Sequence, residues 1–234
     1  MKDFISKVTF GFVMAQLVPG AIAVSSLLFL YVSLGVESPT SMLSVAHLAA
    51  ARASEDILRQ VALLGLFVGA GMLIHGVQWA VIGFLETRFK SVFNTYWHDL
   101  PIGAQILLGP VKIVREFVEL LVRCRHVRDA GVDENVSKVA ESRFPQFEFL
   151  QEFYLHFAQF YAHTAYALVI AVLSLVSFTA IHGLTWKRIG VCCGLYLASG
   201  LFFVIGRIQF QSMFRAEEAL AEKPANSTAT ETAL

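Results

Sequence analysis

The sequence predicts an all-α integral membrane protein with four transmembrane helices and a helical cytoplasmic segment between the second and third helices. The composition is the first observation behind this prediction: 56% of the residues are hydrophobic and only 15% are charged, where soluble domains carry about 25% charged residues. The second observation is that four stretches contain no Asp, Glu, Lys or Arg: residues 8–36, 61–85, 153–186 and 189–206. Each stretch is long enough to cross about 30 Å of hydrocarbon as a helix, the structure that satisfies its own backbone hydrogen bonds there.

These stretches divide the chain into four parts. Residues 1–85 hold the first two transmembrane helices and an extracytoplasmic helical loop, 86–151 form a cytoplasmic amphipathic helical region, 152–216 hold the other two helices, and 217–234 form a polar, disordered tail. Fourteen Lys and Arg residues lie on the side of the two termini and the middle region, and four lie on the opposite side. This bias predicts a plasma or inner membrane protein with both termini in the cytoplasm.

The first transmembrane stretch contains Pro19 and Gly20 near its middle. A proline inside a helix removes one backbone hydrogen bond and kinks the helix, so a neighbouring group has to accommodate the freed carbonyl. Gln16, one turn earlier, is a candidate for that contact. The kink is open to two interpretations, a functional hinge or a static bend.

The second stretch carries four glycines on one side. Gly65, Gly69, Gly76 and Gly83 fall within about 40° of each other at 100° per residue. Such a stripe lets another helix approach closely. The sequence leaves open whether that helix belongs to the same chain or to a second copy.

The middle region contains two helical candidates. The segment PIGAQILLGP, residues 101–110, is apolar but too short to span a membrane, so we expect it to dip into the interface or to pack under the bundle. Residues 111–128 predict a separate amphipathic helix with charged pairs at i, i+4, such as Lys112 with Glu116. That helix fits either the headgroup region of the bilayer or an ordinary packed position.

The third stretch begins with a ladder of polar side chains. The ladder comprises Glu148, Glu152, His156, Gln159, His163 and Tyr166, which share about 80° of a helix. Polar groups in a transmembrane helix face the bundle interior or a cavity. Gln16, His75 and Gln78 from the first two helices are the candidates for the opposite wall.

Three uses of this polar stripe compete. Glu152, His156 and His163 could hold a metal, and His75 with His163 could hold a haem. Counting from the inner end of each span, with the first turns of the third helix projecting into the cytoplasm, however, places His75 about ten residues deep and His163 about four or five, so their depths differ by several ångströms. The second use is a path for protons or ions, and the third is a structural seam of hydrogen bonds between helices.

No sequence motif for phosphate binding or nucleophilic catalysis is present, and the net charge of zero gives no argument for nucleic-acid binding. We therefore expect a non-enzymatic membrane subunit, without catalytic residues, metal or other cofactor. Its predicted partners are the lipid bilayer, further copies of itself and a cytoplasmic protein. It would act as a small pore or as an anchor for that protein. The alternative is a membrane enzyme that uses metal or haem on the Glu152, His156 and His163 face.

Overall fold

The computed structural model describes residues 11, 13–34, 57–89, 97, 99–123, 145–146 and 155–221, and none of these lies in a β-strand. Within these residues five helices follow one another: α1 (Val13–Leu34), α2 (Ile57–Phe89), α3 (Ile102–Arg123), α4 (His156–His182) and α5 (Trp186–Ala221). All except α3 contain a segment long and apolar enough to cross a membrane. The prediction of an all-helical chain with four such helices is confirmed, and these helices are compatible with a multi-pass membrane protein.

Helix α4 lies at the centre of the bundle, between α1 and α5. Small residues allow this packing, since Ala158, Ala165 and Ala167 are all completely buried. Gly206 of α5 lies so close that an added Cβ would stand 3.0 Å from the amide nitrogen of Ala162. Close contact between small residues is the usual basis of helix association in membranes.

The connection from α4 to α5 is a tight turn. Gly183 ends α4 with a φ of 86°, a left-handed backbone conformation that glycine adopts without steric cost. Arg188, at the start of α5, then folds back: its guanidinium donates to the carbonyls of His182, at 2.8 Å, and of Gly183, and lies over the ring of Phe178. The last carbonyls of α4, which lack partners within the helix, are thereby satisfied.

The middle region differs from its prediction in one respect. The apolar segment and the amphipathic helix were expected to be separate, but a single helix, α3, runs through both, with Pro110 in its interior. It packs along α5, where Gly109 approaches the backbone of Gly200. The absence of a side chain at Gly200 leaves room for the two helices to approach closely at this point.

Some predicted segments lie outside the described residues. They are most of the extracytoplasmic loop, much of the region between α3 and α4, and residues 222–234. Helix α5 continues to Ala221, past the boundary expected at residue 216.

Candidate polar site between α1, α2 and α4

The polar stripe of α4 faces the interior of the bundle along its described part. Gln159, His163 and Tyr166 have 6%, 0% and 8% of their surface exposed, and His156 is half-buried. The helical angles place these side chains on one face, and the bundle covers that face. The two acidic members of the stripe, Glu148 and Glu152, lie outside the described residues.

The bend in α1 provides the first hydrogen bond of the site. In an α-helix the carbonyl of Ala15 would accept a hydrogen bond from the amide of residue 19, but residue 19 is proline and has no N–H. The first turn of α1, Val13–Leu17, is accordingly a wider π-helical turn. Nδ1 of His163 lies 2.6 Å from the Ala15 carbonyl oxygen. The freed carbonyl is thus satisfied by a histidine from α4, not by the predicted candidate Gln16.

A second histidine extends this contact. Nδ1 of His75 lies 3.4 Å from Nε2 of His163, and the two rings meet edge to face. Because a carbonyl only accepts, Nδ1 of His163 carries a proton. In the neutral ring Nε2 of His163 is then an acceptor, and Nδ1 of His75 donates to it. The hydrogen bonds run in one direction, from His75 through His163 to the backbone of α1.

The expectation that His75 and His163 lie at different depths is wrong. Depth was counted from the inner end of each span, and the first turns of the third helix were assumed to project into the cytoplasm. The register of α2 is instead fixed by its contact with α1, where a Cβ on Gly71 would stand 2.0 Å from the carbonyl oxygen of Gln16. His75 follows Gly71 by one helical turn, so it reaches the level at which His163 binds Ala15.

The facing wall holds both predicted glutamines. Gln16 of α1 and Gln78 of α2 have only 6% and 4% of their surface exposed. The structure therefore buries Gln16 and Gln78, while the third facing candidate, His75, is half-buried and contacts His163.

Several buried polar atoms at this level have no hydrogen-bond partner among the described residues. They are Oε1 of Gln16, Oε1 of Gln78, Nδ1 of His156 and Oγ1 of Thr164. Thr164 was not predicted, since it lies about 120° from the centre of the stripe. Its hydroxyl is also unusual, because a helical threonine commonly donates to the carbonyl four residues earlier, as Thr179 does to Leu175.

The glycines of α2 divide into two groups. Gly71, which the stripe did not include, makes the close contact with α1, and Gly20 of α1 completes it: a Cβ there would stand 1.8 Å from the carbonyl oxygen of Phe67. At Gly65, Gly69 and Gly76 an added Cβ would meet none of the described residues within 4 Å. The surroundings of Gly83 lie outside the part of the chain that the structure describes. The predicted stripe is therefore open to the surroundings of the bundle at its three described positions.

A second polar cluster lies where α3 meets the bundle, and the sequence predicted its Lys112–Glu116 pair but not the burial of that pair. Nζ of Lys112 is 3.7 Å from Oε1 of Glu116, with 9% and 15% of the two side chains exposed. The ammonium group also lies over the ring of Trp97, 4.3 Å from its centre. Trp97 and Ile113 of α3 belong to the same buried cluster as Tyr166, so this polar cluster adjoins the stripe.

The described residues contain no group of three or more His, Cys, Asp or Glu side chains placed to hold a metal ion. His75 and His163 form a pair only, and their nitrogens contact each other directly. They would have to separate for a haem iron to lie between them.

Comparisons with known proteins found no matching family model, no matching curated protein and no matching solved structure. The function is therefore inferred from two features of the structure. They are the bundle with four potential membrane-spanning helices and the buried polar interior of that bundle.

Proposed function

We propose that this protein is a multi-pass membrane subunit that allows protons to cross the bilayer along the polar interior between α1, α2 and α4. The observation that carries the proposal is the set of four buried polar atoms without a partner among the described residues, on Gln16, Gln78, His156 and Thr164. A buried polar atom that lacks a hydrogen bond costs about 1–3 kcal/mol. Water molecules between α1, α2 and α4 would remove that cost, as ordered water does in other protein interiors.

The two histidines give such water a chemical role. Each neutral imidazole presents one donor and one acceptor nitrogen, and imidazole exchanges protons near neutral pH. The backbone carbonyl of Ala15 holds Nδ1 of His163 and cannot pass a proton on. His75 would therefore take up a proton from water at Nε2 and pass its Nδ1 proton to Nε2 of His163, which would then release that proton to water further along the interior.

Proton flux into liposomes tests the proposal. Purified protein is reconstituted into potassium-loaded vesicles with a pH dye inside, and valinomycin then makes the interior negative. We expect acidification faster than in protein-free vesicles, in proportion to the protein density. Equal rates with and without protein would leave the buried row as a structural seam and would refute the proposal.

The proposal includes a homo-oligomer formed through α2. Gly65, Gly69 and Gly76 present a surface without side chains that is open in the single chain, and glycine stripes of this kind allow two helices to approach closely. Gly69→Leu should lower the mass of the detergent-solubilised particle in light scattering. Gly190→Leu is the matched control, since Gly190 of α5 is equally open. An unchanged mass in Gly69→Leu would contradict this part of the proposal.

The proposed orientation places both termini in the cytoplasm of a plasma or inner membrane. It is supported by the fourteen Lys and Arg residues on that side against four on the other, a bias that orients membrane proteins during insertion. Reporter fusions at the C-terminus and at the turn between α4 and α5 should report opposite sides. A C-terminal fusion that reports the extracytoplasmic side would reverse the assignment.

A further inference from the structure

Helix α3 meets α5 at the centre of a predicted transmembrane helix. Gly200 lies midway along the apolar span Trp186–Met213 of α5. A Cβ at Gly200 would stand 1.9 Å from the carbonyl oxygen of Ile106, so the two backbones touch. If α5 spans the bilayer, the first half of α3 lies near the middle of the hydrocarbon region, although the segment had been expected on the cytoplasmic side.

Two features suit the backbone of α3 to this depth. Pro110 removes the amide that would bind the carbonyl of Ile106, and it is this carbonyl that lies against Gly200. One residue later, the hydroxyl of Tyr196 donates to the carbonyl of Leu107 at 2.6 Å.

The turn before α3 is also satisfied within the protein. The amide of Leu100 donates to the carbonyl of Trp97 at 3.4 Å, and the side chain of Gln105 donates to the carbonyl of Leu100 at 2.8 Å. Irregular backbone at membrane depth is tolerated where the protein provides such partners.

On a water-exposed helix the charged side chains point outward and the apolar ones point inward, and α3 shows the opposite arrangement. Its charged pair, Lys112 and Glu116, points into the bundle, whereas a run of large apolar side chains points outward. The exposed large apolar side chains are Ile102, Leu107, Leu108, Val111, Val114, Phe117, Val118 and Leu121, and Arg115 is exposed among them in the second half of the helix. An apolar surface of this length is unfavourable in water and favourable against acyl chains.

The distribution of charge along α3 agrees with a gradient of depth. Within α3, residues 102–111 contain no charged side chain and all five charged residues follow in the second half of the helix, whereas the turn before the helix carries the exposed Asp99. The second half runs toward the end of α5 that carries Arg207 and Arg215. The outward apolar surface of α3 also adjoins exposed apolar residues of α5, including Leu197 and Leu201.

We infer that α3 is a re-entrant membrane helix, whose first half lies in the hydrocarbon and whose outward face, from Leu107 to Val118, is covered by lipid acyl chains. The second half returns to the headgroup level on the side where α5 ends. The chain would then have five membrane-embedded helices, of which four span the bilayer.

Spin-label accessibility in liposomes tests this inference. Cys124, Cys192 and Cys193 are first replaced by serine, and single cysteines are introduced at exposed positions so that no packing is lost. The test positions are Leu107→Cys, Val111→Cys, Val114→Cys and Val118→Cys. Leu173→Cys, exposed on α4, is the lipid reference, and Arg215→Cys, exposed near the end of α5, is the water reference.

We expect the ratio of oxygen to nickel-chelate accessibility at Leu107 to match the lipid reference and to fall gradually toward Val118. Ratios that match the water reference at all four positions would place α3 in water and overturn the inference. Low accessibility to both reagents would show that protein, not lipid, covers this face, and would overturn it as well. Asp99→Cys, at the exposed turn before α3, should report a depth close to that of Leu107.

Discussion

Replacing Pro19 with alanine should make His163 less important for the stability of the bundle. In the wild-type chain, His163→Leu removes the 2.6 Å hydrogen bond to the Ala15 carbonyl. Residue 19 cannot supply an amide in its place, so a buried carbonyl is left without a partner, which costs about 1–3 kcal/mol. With the lost packing of a fully buried ring, the total destabilisation should reach about 2–4 kcal/mol.

The Pro19→Ala substitution restores the amide that an α-helix directs at the carbonyl of Ala15. In this background the unpartnered carbonyl disappears, and His163→Leu should cost about 1–2 kcal/mol less than in the wild type. The double-mutant cycle would therefore show a coupling of about 1–2 kcal/mol, well above the scatter of about 0.3–0.5 kcal/mol for independent sites.

The coupling is measured by unfolding the four proteins of the cycle in mixed micelles and following helicity by circular dichroism. His182 provides the matched control, because its Nε2 binds another backbone carbonyl of α1, that of Ser33, at 3.1 Å. The cycle of Pro19→Ala with His182→Leu should be additive. Additivity in the His163 cycle as well would refute the explanation that Pro19 frees the carbonyl that His163 binds.

Three further predictions concern packing, the α4–α5 turn and metal content. Gly71→Ala would place a Cβ 2.0 Å from the Gln16 carbonyl oxygen, and we expect the free energy of unfolding to fall by about 1–3 kcal/mol in the same assay. Gly76→Ala is the control: its Cβ meets open space, so this change should be neutral or slightly stabilising. Equal effects of the two changes would contradict the contact between Gly71 and Gln16. Arg188→Ala should lose about 2–3 kcal/mol, because charged hydrogen bonds to two carbonyls disappear, whereas the exposed neighbour Lys187→Ala should change stability by less than about 0.5 kcal/mol. Elemental analysis and an absorbance spectrum of the purified protein should show neither stoichiometric metal nor haem, and either one would favour the enzyme alternative.

The directions of side chains within each helix could be predicted from the sequence. Polar residues spaced along α4 share one face by helical geometry alone, and lipid cannot satisfy them, so their inward direction followed without knowledge of the neighbours. The same reasoning identified Gln16, His75 and Gln78 as residues for the opposite wall.

The register between helices could not be predicted in this way. It depends on which glycine touches which backbone, and Gly71, the glycine that fixes α2 against α1, stands outside the stripe that the spacing emphasised. For the same reason the meeting of His75 with His163 was missed. Lys112 and Glu116 fitted a surface pair by their spacing, but the contact of α3 with α5 turns them inward, and no local pattern in α3 indicates that contact.

The most direct test of the proposed proton path compares two histidines of α4 that each bind a backbone carbonyl of α1, His163 through Nδ1 and His182 through Nε2. His163→Asn keeps a donor for the Ala15 carbonyl but cannot exchange protons, and His182→Gln is the corresponding change outside the polar interior. In liposomes of equal protein density, the account predicts that proton flux falls to the protein-free rate in His163→Asn and stays at the wild-type rate in His182→Gln. Wild-type flux in His163→Asn would contradict it.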